Sequence, residues 1–240
     1  MEKINIRGVL FDSVSLDEAC DICMGYFSGS DAARVIHTPN SEIVQLCVED
    51  KEKLEIINSA DLIIPDGAGV VLASKILKTP LTKGKVAGIE LCERLVCECA
   101  NNGIGVYFLG GKPGVAEKAK DKLCEKYPGL VACGISDGYF KDEDAVIEKI
   151  NQSGASLLLV CLGAPKQEIF MNAHRNQLNV KLMGGFGGSF DVFAGEVKRA
   201  PKIFIKLGLE WFYRLLCDPR RIGRMMKLPK FILGVMFSKK

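Results

Sequence analysis

Short, almost unbroken apolar runs alternate with amphipathic stretches along most of this 240-residue chain, and that alternation constrains the fold more than any other feature. The clearest unit starts with "GVYFLGG" (105–111), an apolar run closed by two glycines. It continues into "KPGVAEKAKDKLCEKYPG" (112–129), which has helical spacing, Pro113 near its start and Gly129 beyond its end. "LVACGIS" and "KDEDAVIEKINQSG" repeat the pattern, as do "ASLLLVCLG" and "PKQEIFMNAHRNQL", and "NVKLMGGFGG" supplies a further strand. A strand that is apolar at every position has both faces covered. Such strands separated by helices imply a parallel sheet between two helical layers.

The first hundred residues fit the same scheme. "NIRGVLFDSVS" reads as an opening strand and turn, followed by a helix with Leu16, Ala19, Cys20, Cys23 and Met24 on one face. "ARVIHTPN" and "DLIIPDG" read as strands, and "SEIVQLCVEDKEKLEIINSA" as one amphipathic helix or two. "AGVVLASKIL" and "GIELCERLVCECANN" read as further helices. The expected class is α/β: a Rossmann-like, mainly parallel sheet with helices on both faces, plus a C-terminal helical appendage.

The appendage is announced by charge. Residues 195–240 hold twelve Lys or Arg against three acidic residues, a net of +9. The whole chain carries +3, so residues 1–194 carry −6. Large apolar residues, among them Ile203, Leu207, Trp211, Leu216 and Phe231, are interleaved with those cations. The division expected is therefore an α/β core over 1–194 and a basic amphipathic segment over 195–240 that docks on an anionic membrane. A single helix is expected from Pro201 to Cys217, with Ile203, Phe204, Leu207, Trp211, Leu215 and Leu216 on one stripe. Phe231–Phe237 suits the headgroup layer. No run of about 18–20 apolar residues is present, and the N-terminus has no signal-peptide pattern. The expectation is a cytoplasmic protein, peripheral on the inner face of the plasma membrane.

The ten cysteines have neither zinc-ribbon nor disulfide-framework spacing, and free cysteine commonly serves as a small buried hydrophobe. With only His37 and His174 as histidines, no metal site is expected.

In open parallel sheets, ligands bind beyond the carboxyl ends of the strands. This chain places His37-Thr38-Pro39-Asn40, Pro65-Asp66-Gly67, Gly110-Gly111-Lys112-Pro113-Gly114, Gly163-Ala164-Pro165-Lys166-Gln167 and Gly184–Ser189 at those ends. The glycine turns can bring backbone N–H groups close to a phosphate, or can simply make tight strand-to-helix turns. Asp66 is either a base aimed into the cleft or a cap on the helix that follows. Thr38, Asn40 and Gln167 suit sugar hydroxyls or an amide, and equally suit turns and caps. Neither a GxGxxG fingerprint nor a P-loop is present, which disfavours a Rossmann-type NAD(P) oxidoreductase.

Together these segments resemble the WecG/TagA/CpsF family of glycosyltransferases, over about Gly8 to Met225. The resemblance is carried by "TPNSEIV" (38–44), "PDGAGVV" (65–71), "VAGIELCERL" (86–95), "YFLGGKPGVAEKA" (107–119), "DGYF" (137–140), "LLVCLGAPKQEIF" (158–170), "GGFGGSFDVFAGEVKRAP" (184–201) and "GLEWFYRLLCDPRRIGRM" (208–225). Eight motifs in order make a specific signal.

The resemblance implies inverting transfer of N-acetylmannosamine from UDP-ManNAc to undecaprenyl-diphosphate-linked GlcNAc, in teichoic acid or related polysaccharide synthesis. No metal or cofactor is required, since the UDP-sugar is a substrate. It maps a catalytic aspartate onto Asp66, and catalytic arginines onto Arg214, Arg221 and Arg224. Thr38, Asn40, Lys85, Gly110, Gly111, Tyr139, Gly163, Gln167, Gly187 and Asp191 are the implied substrate-binding set. Lys85 departs from the arginine that relatives often carry, keeping the charge but losing the planar fork. The charge of the tail adds an anionic membrane surface to the partners and nucleic acid is not among them; the oligomeric state stays open, a homo-oligomer being one option. Three alternatives stay open: another donor such as UDP-ManNAcA or another UDP-hexose, a Rossmann-type nucleotide-binding oxidoreductase, and a membrane-docked nucleotide sensor that would not need Asp66.

Overall fold

The computed structural model describes residues 2–29, 32–217 and 222–238. It opens with an antiparallel hairpin, β1 (Lys3–Ile6) and β2 (Val9–Asp12). Six later runs form one parallel sheet: β3 (Arg34–His37), β4 (Leu62–Ile63), β5 (Val106–Gly110), β6 (Ala132–Ser136), β7 (Leu157–Cys161) and β8 (Leu182–Gly185). Their order is β4-β3-β8-β7-β5-β6.

The unbroken apolar character of the strands follows from where alternate side chains go. On β7, Leu158 and Val160 enter one apolar cluster, whereas Leu157, Leu159 and Cys161 enter a second. On β5, Tyr107 and Leu109 separate from Val106 and Phe108 in the same way. A period of two with both faces covered leaves no position for a polar residue. One face is covered by α1 (Leu16–Tyr26), α5 (Gly88–Asn102), α6 (Val115–Lys126) and α9 (Ser189–Phe193). The other is covered by α2 (Ser41–Glu49), α3 (Lys51–Asn58), α4 (Ala68–Ile76), α7 (Glu143–Gln152) and α8 (Lys166–His174). The α2–α3 stretch is two helices because Asp50 is extended (φ −144°) and its side chain accepts from the Lys53 N–H to start the second.

Two expectations need correction. The opening segment is not one strand but a hairpin. Arg7 and Gly8 both have positive φ (53° and 97°), as a two-residue turn matching strand twist requires. The Asn58 side chain locks it, donating to the Gly8 carbonyl (2.9 Å) and accepting from the Leu10 N–H (3.1 Å).

The helix expected over Pro201 to Cys217 is two helices, α10 (Lys202–Lys206) and α11 (Glu210–Cys217). Left-handed Gly208 (φ 71°) ends the first. Then α12 (Ile222–Met225) and α13 (Lys227–Phe237) follow. Phe231 and Val235 of α13 do not face outward, as a segment lying wholly in the headgroup layer would need. They are buried in the cluster that holds Ile4, Phe11, Val44 and Val70. Lys230 pairs with Glu49 of α2 at 2.7 Å. Leu233, Met236 and Phe237, on the other side of α13, are exposed. No helix among the described residues is long and apolar enough to cross a membrane.

Candidate functional site

A cavity of about 260 Å³ lies beyond the carboxyl ends of β3, β4, β7 and β8. Its floor and one wall come from the sheet: Thr38, Asn40, Asp66, Gly163, Gln167 and Gly187. Lys85, from the loop before α5, joins them. The opposite wall comes from the tail, with Gly208, Glu210, Trp211 and Leu228. Seven of the substrate-site candidates thus converge on one space.

Each is held there by its local fold. Thr38 is buried, and its hydroxyl donates to the Gly185 carbonyl at 2.8 Å, tying the end of β3 to the end of β8. Asn40 is the N-cap of α2, its Oδ1 accepting from the N–H groups of Glu42 (2.9 Å) and Ile43 (3.2 Å). The cap reading of Asn40 is therefore correct, and its Nδ2 is not part of that cap.

Asp66 is half-buried after β4, its N–H directed to the Pro39 carbonyl at 3.4 Å. The N-cap of α4 is Gly67, at φ 87°, a conformation that suits glycine. Asp66 therefore stands one residue ahead of the cap position that the alternative reading gave it. The Val86 N–H donates to the Pro65 carbonyl (3.0 Å), which keeps Lys85 beside the Asp66 turn.

Gln167 is buried on the first turn of α8. Its Oε1 accepts from the Gly187 N–H at 2.9 Å, and its Nε2 donates to Glu168 Oε1 at 2.9 Å. Glu168 is buried too, and burial pushes its carboxyl above the usual carboxylate range.

Gly110, Gly111, Tyr139 and Asp191 do not line the cavity. Gly110 closes the end of β5 against the Cys161 backbone, which leaves no room for a Cβ. The Gly111 carbonyl accepts from the Gly138 N–H (2.8 Å), and the Gly138 carbonyl accepts from Lys166 Nζ (2.9 Å). Tyr139, 65% exposed, thus sits on a loop tied to the start of α8, next to the cavity rather than in it. Asp191 is half-buried on α9. Arg221, and the side chains of Arg214 and Arg224, lie outside the described residues.

His37 does not face the cavity. It is fully buried, its ring Nδ1 is 3.1 Å from the Ile57 carbonyl, and burial pushes its pKa down to about 4. It stays neutral at ordinary pH. Cys20, Cys23, Cys47, Cys92, Cys99 and Cys161 are buried. Burial raises their thiols, to about 11 for Cys20, so these act as core residues rather than nucleophiles. Among the described residues, no group of three or more His, Cys, Asp or Glu could hold a metal ion.

Sequence reasoning missed three contributors. Trp211 was seen as a tail apolar residue, not as cavity wall, and Leu228 was not singled out. Glu168 was passed over, although an acidic residue beside Gln167, on a helix that otherwise turns Phe170 and Met171 inward, was a visible signal.

The model of the WecG/TagA/CpsF glycosyl transferase family matches residues 4–240. The chain belongs to that family. Among its relatives is the N-acetylglucosaminyldiphosphoundecaprenol N-acetyl-beta-D-mannosaminyltransferase of Bacillus subtilis (strain 168). It is 32% identical over 240 residues, which cover 100% of this chain and 93% of the relative. Proteins of the same name from Bacillus spizizenii and Staphylococcus aureus (strain MRSA252) are 39% and 38% identical. The matches cover 84% and 99% of this chain, and 78% and 94% of those relatives.

Proposed function

We propose that this glycosyltransferase moves N-acetylmannosamine from UDP-ManNAc to the 4-hydroxyl of undecaprenyl-diphosphate-linked GlcNAc, with inversion at the anomeric carbon. The reading is supported by the family, by the names of the relatives, and above all by one observation: Asp66 lines the same cavity as Thr38, Asn40, Lys85 and Gln167. Inversion by single displacement needs one base on the acceptor side and a means of stabilising the leaving diphosphate on the other. Asp66 takes the proton of the acceptor hydroxyl as its oxygen attacks C1. UDP departs with the bonding pair, and its developing charge is met by Lys85 and by Arg214, Arg221 and Arg224 of the tail. Thr38, Asn40 and Gln167 orient the sugar.

The acceptor is a lipid, so the tail also meets an anionic bilayer on the inner face of the membrane, through its cations and its exposed apolar residues. No divalent metal is required in this scheme, because fixed cations of the chain neutralise the diphosphate. The test is incubation of the purified full chain with a panel of UDP-sugars, a short-chain lipid acceptor and EDTA. Transfer from UDP-ManNAc alone, undiminished by chelator, is the expected result. Transfer from another UDP-sugar in its place would reassign the donor. Activity lost to EDTA and restored by Mg²⁺ would overturn the metal-free scheme.

A further inference from the structure

Gln167 and Glu168 are neighbours on the first turn of α8, and each is only 2% exposed. Adjacent helical residues do not ordinarily face each other, yet Gln167 Nε2 and Glu168 Oε1 are 2.9 Å apart. The opposite end of the amide is fixed by the Gly187 N–H, a donor, which must meet the amide oxygen. Gly185 lies against the same group: a Cβ there would come within 2.9 Å of Gln167 Nε2. The Gly185 carbonyl in turn accepts from Thr38. Thr38, the Gly185–Gly187 turn and Gln167 are therefore one hydrogen-bonded unit in the cavity wall, and Glu168 is its rear support.

Packing does not account for the carboxyl. Glu168 borders a small gap lined by Ile43, Cys47, Ile57, Pro165 and Ile169, and its Oε2 has no hydrogen-bond partner among the described residues. An unsatisfied buried polar atom costs about 1–3 kcal/mol, and an apolar side chain of similar shape would avoid that cost. What an apolar residue could not do is accept the hydrogen bond from Gln167.

We propose that Glu168 is a positioning residue, whose carboxyl holds the Gln167 amide in the one orientation that seats the Gly185–Gly187 turn against the cavity. The proposal rests on the transferase reading above, in which Gln167 faces the sugar. The role needs an acceptor oxygen, not a charge. Burial disfavours the charged form of Glu168, and the Cys47 thiol facing it from α2 is likewise pushed up, to about 12, chiefly by burial. Lys53 of α3, at the rim of the gap, is engaged by Asp50. A neutral amide at position 168 should therefore substitute.

The test uses Glu168→Gln and Glu168→Leu in the full chain, each with and without Gln167→Ala. Transferase kinetics are read together with the ¹⁵N side-chain amide signal of Gln167. Glu168→Gln should stay within about threefold of the parent in kcat/KM and keep the Gln167 signal. Glu168→Leu should melt close to the parent, since it removes the unpaired Oε2 at the same time as it strands the Gln167 amide. It should nevertheless lose about tenfold or more in kcat/KM and shift the Gln167 signal. Adding Gln167→Ala to Glu168→Leu should cost little more, the non-additivity expected of contacting residues.

Equal costs of Gln167→Ala in both backgrounds, or a fully active Glu168→Leu, would overturn the proposal. So would a Glu168→Gln protein as impaired as Glu168→Leu. If Glu168→Leu does not fold, Glu168→Met carries the same comparison. A parent protein that transfers no sugar would remove the transferase reading but not this test, because an unmoved Gln167 signal in Glu168→Leu overturns the positioning role by itself.

Discussion

The two walls of the cavity are built on opposite principles. The sheet wall is polar and fixed: Thr38 and Gln167 are buried, bonded to the β8 turn, and set on strand and helix ends whose own positions are decided by the core. The tail wall, Glu210 apart, is apolar and half-open. Trp211 is 37% exposed, its neighbour Phe212 is exposed as well, and Ile203 of the adjoining α10 and Leu207 just beyond it are about two-thirds exposed. One wall has the chemistry of a reaction that needs atoms held in place. The other has the surface of something that meets a second apolar phase. A transferase joining a water-soluble donor to a lipid acceptor needs both, and the contrast can be broken at either side.

The largest effect is expected on the sheet wall. Asp66→Asn keeps the shape and removes the proton acceptor, so turnover should fall about 10²–10⁴-fold. UDP affinity, measured by calorimetry, should hardly change. Near-parental turnover would return Asp66 to a purely structural role and leave the sheet wall as a binding surface only.

The next effect concerns what holds the tail wall in place. Of the tail helices α10 to α13, the last is anchored by Phe231 and Val235 in the core and by Lys230 on Glu49. Phe231→Ala should cost about 3–5 kcal/mol of stability, as large-to-small changes in a core do. The exposed neighbour Leu233→Ser should cost about 0.5 kcal/mol or less. Chemical denaturation of the two variants checks this. A chain ended near residue 195 should likewise be poorly folded, because it lacks part of the cluster on the α2–α4 face. Equal, small losses for both point variants would mean that α13 is not part of the folded body.

These elements also show what the amino-acid order could and could not reveal. The sheet was legible because a strand covered on both faces must be apolar at every position, and β5 and β7 are. Much of the cavity lining was legible because turns at strand ends, such as 38–40 and 65–67, can be located once the strands are. The hairpin was hidden because Arg7-Gly8 is a weaker turn signal than Asn-Gly, and "NIRGVLFDS" is short enough to pass for one strand. The split of the tail was hidden for a different reason. Residues 203–216 and 227–237 both mix cations with large apolar groups. Which of them enters the core depends on which sheet face is left uncovered, a long-range fact that local composition does not carry. Glu168 was passed over because its partner is the adjacent residue, whereas the helical spacing rule looks three or four residues away.

A smaller effect is expected on the outer surface of the tail. Replacing Ile203, Leu207 and Leu216 together by Ser removes exposed apolar area without touching the core. Sedimentation with anionic vesicles should fall roughly tenfold, while melting temperature holds. The binding left should be the electrostatic part, and should vanish as salt rises and the Debye length shortens to a few ångströms. Unchanged sedimentation would assign membrane contact to cations alone. A drop in melting temperature would show that the tail helices need these residues to stay folded.

The sharpest comparison is at Lys85. It lines the cavity beside the Asp66 turn, held by the Val86–Pro65 bond. If it meets the donor diphosphate as a point charge, then Lys85→Met should weaken UDP binding by about 1.5–3 kcal/mol, the usual contribution of a hydrogen bond to a charged group. Lys85→Arg should move it far less, by about a few fold, and in the direction of tighter binding if the wider guanidinium finds two oxygens to grip. The comparison with Asp66 is informative because the two residues are neighbours with opposite expected signatures. Asp66→Asn should lower kcat at constant UDP affinity, whereas Lys85 variants should change UDP affinity first. A Lys85→Met protein that binds UDP normally but turns over slowly would put Lys85 with the reacting atoms instead, so that the sheet wall would supply both the base and the charge that meets the leaving group.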